Sequence, residues 1–106
     1  MKIAITGVNG LLGSSLFAKA KSFNFQVIEL ARNGVINNNS IAELASYLKL
    51  NNITVVLHCA ANTNVEDCEV NKEQCFLDNV LLTEKLALAC EISNIKFVFI
   101  SSTGVY

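Results

Sequence analysis

Proline and tryptophan are both missing from this chain of 106 residues, and there is a single histidine, His58. With no proline and no low-complexity segment, nothing marks a linker or an internal boundary. Charge is scarce too: 16% of residues are charged, the net charge is −1, and no basic patch or charge run occurs. That excludes nucleic acid as the main partner. No apolar stretch approaches the length needed to cross a membrane. Lys2 alone precedes the first apolar run, which Gly7, Asn9, Gly10 and Gly13 interrupt, so no secretion signal is visible. The four cysteines, Cys59, Cys68, Cys75 and Cys90, contain no Cys-x-x-Cys pair. Zinc-binding spacing is therefore absent, and no metal site is expected. The expectation is a cytoplasmic protein with four free thiols, mostly buried as small hydrophobes. Hydrophobic residues make up 52% of the chain, which excludes disorder and suffices for one small domain with a core.

What is present begins with Thr6-Gly7-Val8-Asn9-Gly10-Leu11-Leu12-Gly13, directly behind the apolar run Ile3-Ala4-Ile5. This reads as a strand, a glycine-rich turn and the first turn of a helix. Helix-start N–H groups have no backbone partner, and the helix dipole adds partial positive charge. Glycines let the chain turn sharply and let a diphosphate come close to the backbone. Gly13, one turn into the helix, lets it pack tightly on the strand. The combination is an anion site suited to a nucleotide cofactor.

Further along, the spacing predicts a helix from about Leu11 to Phe23, with Leu12, Leu16, Ala20 and Phe23 on one stripe. Gln26–Leu30 reads as a second strand, and Val35–Ile36 can be read as a very short third. Ser40-Ile41-Ala42-Glu43 is a capping box, followed by Ile41, Leu44, Ala45 and Leu48 at helical spacing. Ile53–Cys59 is apolar on both faces, the pattern of a central parallel strand. A long helix is expected from about Leu77 to Ile92, and Ile95–Ile100 is another two-sided strand, a possible unpaired edge that invites self-association into a homodimer. Alternating strands and helices imply an α/β fold with a Rossmann-type parallel sheet and helices on both faces. In such sheets the ligand lies across the carboxyl ends of the strands. Those ends are Gly7, Ala31-Arg32, Ala60-Ala61 and Ser101-Ser102-Thr103, all small, glycine or polar residues.

Gly7-x-x-Gly10-x-x-Gly13, His58-Cys59-Ala60-Ala61, Asn79 and Ile100-Ser101-Ser102-Thr103-Gly104-Val105-Tyr106 together resemble the extended short-chain dehydrogenase/reductase family. The run from Ala60 to Glu69, with Asn79 and Leu86-Ala87-Leu88-Ala89-Cys90, is similar to dTDP-4-dehydrorhamnose reductases and related sugar-nucleotide reductases and epimerases. The resemblance spans the whole chain but only the N-terminal part of such an enzyme, so residues 1–106 would be an incomplete dinucleotide-binding domain. It implies that Gly7, Asn9, Gly10, Leu11, Leu12 and Gly13 hold the diphosphate. Ala60 and Ala61 would line the adenosine and ribose side, and Asn79 would tie its helix to the strand ends. Ser102 would be the catalytic hydroxyl at the nicotinamide, four residues before Tyr106. Leu82 departs from the family, many members of which have glycine there. The family's Tyr-x-x-x-Lys base would lie downstream of Tyr106, so the fragment alone is expected to be inactive. The substrate implied is a nucleotide-linked 4-keto-deoxysugar. The alternatives are a non-catalytic, dinucleotide-binding regulatory subunit, or an NAD-dependent epimerase or dehydratase.

Cofactor choice turns on the end of the second strand. A carboxylate there grips an adenosine ribose, whereas an arginine accommodates a 2′-phosphate. Ala31 falls where an acid would stand and Arg32 follows, so NADP(H) is preferred and NAD(H) is second. A shift of register by two would put Glu29 on the ribose and reverse that choice. His58, inside an apolar strand, reads as a satisfied core histidine, and Cys59 as packing. Glu66, Asp67 and Glu69 read as a solvated helix start.

Overall fold

Lys2–Thr6 forms β1, with its last four residues buried. A strand apolar on both faces must be covered on both. Ile3 and Ile5 face a cluster with Leu12, Leu16, Phe17 and Ala20, whereas Ala4 faces one with Leu44, Leu48, Leu86 and Ala89. The structure, a computed structural model, describes residues 1–8, 10–60 and 72–101. After β1 come α1 (Leu11–Ser22), β2 (Gln26–Glu29), a single wide helical turn (Arg32–Ile36), α2 (Ile41–Leu50), β3 (Val55–Ala60), α3 (Lys72–Ser93) and β4 (Lys96–Ser101). All strand pairs are parallel, in the order β2-β1-β3-β4. One face of this Rossmann-type sheet carries α1 and the other carries α2 and α3. Among the described residues, no helix is long and apolar enough to cross a membrane.

Each helix stops in the same way. Asn24, Asn52 and Asn94 take left-handed backbone angles (φ 64°, 57° and 59°). The next residues, Phe25, Ile53 and Ile95, donate their N–H back to Ala20, Leu48 and Cys90 O at 3.1, 3.1 and 2.8 Å. This closure ties up the last helical carbonyls, and asparagine tolerates its backbone conformation better than other non-glycine residues. It also explains why β3 starts at Val55 and not at Ile53: Ile53 is occupied in closing α2, and Thr54 N–H donates to Lys2 O at 2.9 Å.

The expected capping box is formed in full. Glu43 N–H donates to Ser40 Oγ at 3.1 Å and Ser40 N–H to Glu43 Oε1 at 2.8 Å. Other expectations are corrected. Val35–Ile36 is not a strand; it lies in the Arg32–Ile36 turn, where Asn37 N–H reaches Arg32 O at 2.9 Å and the Ile36 side chain is fully buried. Phe23 does not belong to the buried stripe of α1: it is 60% exposed, and Phe17 packs on the sheet instead. α3 begins at Lys72, five residues ahead of Leu77. Cys59 and Cys90 are buried free thiols whose pKa values burial pushes up, that of Cys90 to about 11.

Candidate functional site

The sheet order changes direction between β1 and β3: the chain passes from β1 outward to β2, then returns to lay β3 on the other side of β1. The crevice beyond the carboxyl ends of those two strands is where open α/β sheets take ligands. The β1–α1 turn stands there. Gly7 has φ +71°, and a Cβ on it would lie 2.5 Å from Cys59 O at the end of β3. Gly10 N–H donates to Gly7 O at 3.0 Å, and Ser14 N–H donates to Gly10 O at 2.9 Å. A Cβ on Gly13 would run into the Gly7 carbonyl oxygen and stand 2.6 Å from its carbon. Gly7 and Gly13 are thus demanded by backbone packing alone.

Gly10 is different. Among the described residues, a Cβ there would meet only Gly7 O, at an ordinary 3.5 Å, and its own angles (φ −84°, ψ 169°) suit any residue. The described residues leave space in front of it. Among the described residues, no side chain caps α1, and no acidic residue stands in its first turn. α2, by contrast, closes its own start with Ser40 and Glu43. A helix start without a side-chain cap, with room before it, could take an anion on its first N–H groups, those of Leu11, Leu12 and Gly13. A shallow cleft along α2, lined by Ala42, Glu43, Ser46, Tyr47 and Leu50, lies beside a helix start that Ser40 and Glu43 cap.

Thr6 and His58 face each other across β1 and β3. Thr6 Oγ1 lies 2.6 Å from His58 Nδ1, and Thr83 Oγ1 of α3 lies 3.0 Å from Nε2. One ring nitrogen of a neutral imidazole donates and the other accepts, so both are satisfied. Phe97 and Phe99 flank the ring, with centroids at 6.1 and 5.5 Å. Burial, assisted by the nearby charge of Arg32, lowers the His58 pKa from 6.5 to about 4. The folded pKa is below the unfolded one, so the unfolded chain binds the extra proton between those values. The stability contributed by neutral His58 is complete above the unfolded value and is lost as pH falls toward the folded one. Glu43, its pKa lowered first by the Ser40 backbone hydrogen bond, loses its contribution only below its ordinary 4.5. The melting temperature is therefore expected to fall between about pH 6.5 and pH 4.5. A flat profile across that window, measured by circular dichroism, contradicts a buried neutral His58.

At the far side, Leu30 N–H donates to Ile5 O at 2.9 Å and continues the β1–β2 ladder past Glu29. Ala31 is the first residue beyond the ladder, and Arg32 follows, exposed, at the start of the wide turn. Glu29 stays within the strand, opposite Ile5. Ala60 ends β3 in register with Ser101, and Asn79 lies in α3 four residues before Thr83. Asn9, Ala61 and Ser102 lie outside the described residues, as do Cys68 and the acidic cluster Glu66, Asp67 and Glu69. Sequence reasoning missed Thr6, Thr83 and Lys85; their partners are distant in the chain, and no local pattern announces them.

Solved structures share this fold. A dTDP-4-dehydrorhamnose reductase from Yersinia enterocolitica superposes with a TM-score of 0.70 and 30% identity over 99% of this chain and 36% of its own. A UDP-N-acetylglucosamine 4-epimerase from Bacillus cereus gives 0.73 and 30% identity over 100% of this chain and 38% of its own. MoeE5, solved with UDP-glucose and NAD, gives 0.75 and 26% identity, again covering 100% and 38%. The chain therefore spans little more than a third of the length of these proteins. No curated protein sequence matches it. The sequence model for the RmlD substrate binding domain matches residues 1–106, its whole length. A glycine turn at the switch point, on a sheet shared with sugar-nucleotide reductases and epimerases, agrees with that match: the chain belongs to the RmlD substrate binding domain family.

Proposed function

We propose that residues 1–106 are the dinucleotide-binding part of a cytoplasmic sugar-nucleotide oxidoreductase that reduces a 4-keto-deoxysugar nucleotide. The observation that carries this is the open space at Gly10 before an uncapped helix start, beside the β1–β3 switch point. The N–H groups of Leu11, Leu12 and Gly13 hold the diphosphate, and Gly7, Asn9 and Gly10 complete its binding site. Ala60 and Ala61 line the adenosine and ribose side, while Asn79 ties α3 to the strand ends. Ser102 donates a hydrogen bond to the substrate oxygen, polarising the carbonyl. The bound dinucleotide supplies the hydride. The proton comes from a tyrosine that a neighbouring lysine makes more acidic, both from chain beyond Tyr106, so the fragment by itself turns nothing over.

Arg32, two residues past the end of the β2 ladder, accommodates a 2′-phosphate, and NADPH is preferred to NADH. Calorimetric titration of the chain is expected to show NADPH binding about tenfold tighter, with Arg32→Ala erasing the difference and no turnover with either. Clearly tighter NADH contradicts the assignment of Arg32. It would favour the second reading, an NAD-dependent epimerase, which the equal identity to the Bacillus cereus enzyme keeps in view.

Self-association fits the same reading. Leu77, Leu81, Leu88 and Ile92 recur at helical spacing on α3, and each is between 44% and 61% exposed. A homodimer built on this stripe is expected to sediment as a concentration-dependent species; a monomer at every concentration rules it out.

A further inference from the structure

Lys85 stands in α3, half-buried, with its Nζ donating to Ile36 O at 2.6 Å. That carbonyl belongs to the last residue of the Arg32–Ile36 turn. The turn is held at several points: Ile36 N–H donates to Ala31 O at 3.3 Å, Asn37 N–H to Arg32 O at 2.9 Å, and Asn39 Nδ2 to Val35 O at 2.7 Å. Gly34, with φ −108° and ψ −105°, breaks the helical path inside it. A turn of this kind has little regular geometry of its own. The Ile36 side chain anchors it in the core, and Lys85 fixes the carbonyl from the opposite element. Burying part of an ammonium costs free energy that an apolar side chain would not. Filling space at this position does not need a hydrogen-bond donor; holding a carbonyl does.

Two residues earlier on the same helix, Thr83 reaches His58 and, through it, Thr6, the residue before Gly7. α3 thus braces both halves of the candidate site, the glycine turn after β1 and the Arg32 turn after β2. We infer that Lys85 is a positioning residue: by fixing the Ile36 carbonyl it sets the Arg32 turn, and so the discrimination between dinucleotides with and without a 2′-phosphate. This rests on the dinucleotide reading above.

The test titrates NADPH and NADH against the chain and against Lys85→Met, Lys85→Arg, Arg32→Ala and the Arg32→Ala/Lys85→Met double variant. Methionine keeps the stem and loses the donor; arginine keeps a donor. In Lys85→Met the ratio of NADPH to NADH affinity is expected to fall about tenfold while NADH affinity stays within about twofold. Lys85→Arg recovers most of the ratio, and the double variant loses no more than Arg32→Ala alone. Without any dinucleotide, the Asn37 amide of Lys85→Met exchanges its hydrogen about tenfold faster. Equal weakening of both dinucleotides, or an unchanged ratio, overturns the inference and leaves Lys85 a purely structural residue. An unchanged Asn37 exchange rate overturns it independently of any ligand. Wild-type chain that binds neither dinucleotide defeats the reading of the site itself, and this inference with it.

Discussion

Gly13→Ala is expected to destabilise the chain by about 3 kcal/mol or more, with the urea midpoint falling accordingly. Helix propensity alone predicts the opposite sign, since alanine is favoured over glycine by about 1 kcal/mol inside a helix. Geometry decides. The new Cβ would strike the Gly7 carbonyl, whose carbon is 2.6 Å away, and would lie 3.1 Å from Val8 Cα. All of these are backbone atoms at the end of β1, and no flexible side-chain tip can yield. Relief requires α1 to lift from the sheet, which opens the cluster of Ile3, Ile5, Leu12, Leu16 and Phe17. Overpacking against atoms that cannot move costs more than overpacking a pliant core. A neutral or stabilising result would mean that α1 does not sit on Gly7 as described.

Gly10→Ala is expected to do the reverse. Stability changes by less than about 1 kcal/mol, the loss of a good helix-start residue. The contact with Gly7 O at 3.5 Å is ordinary, and the backbone angles are permitted to alanine. Dinucleotide affinity, however, falls by about tenfold to a hundredfold, because the methyl group occupies the space through which a phosphate oxygen reaches the helix-start N–H groups. Each charge-assisted hydrogen bond lost there is worth about 1.5–3 kcal/mol. The two variants separate what the three-glycine spacing confuses. On the proposed reading, the missing Cβ at Gly13 serves the fold, whereas the missing Cβ at Gly10 serves the ligand. A Gly10→Ala chain that folds and binds as tightly as the wild type would leave the glycine turn without a functional reason.

Much of this fold is legible in the residues because its signals are local. The strand–glycine–helix opening, the Ser40–Glu43 box and the two-sided apolar strand, expected at Ile53–Cys59 and found at Val55–Ala60, each depend on neighbours a few positions apart. What escapes is set across the chain. Val35–Ile36 has the composition of a strand, yet it forms a turn because Ile36 packs beneath α2 and α3 and Lys85 arrives from 49 positions away to take its carbonyl. Phe23 continues the spacing of Leu16 and Ala20, but the helix ends there and the chain swings through Asn24, leaving the ring in solvent beside Phe25. The three asparagine closures were readable in principle, as asparagine two or three residues ahead of a strand, and they fix where β2, β3 and β4 begin.

The candidate site divides in the same way. Its glycines announce themselves through spacing, and the roles of two of them follow once the backbone is seen. The buried line Thr6–His58–Thr83 does not, because a lone histidine in an apolar strand gives no hint of two threonine partners 52 and 25 positions away. Polar side chains in a core are placed by whatever satisfies them, and that is decided by the assembled sheet.

One measurement bears most directly on the central claim. In an amide NMR titration of the chain with NADPH, the account predicts that the largest shifts fall on Gly10, Leu11, Leu12 and Gly13, with a second group at Arg32 and its turn. Shifts confined to the α2 cleft around Ala42, Ser46 and Tyr47, with the glycine turn unmoved at saturation, would contradict it.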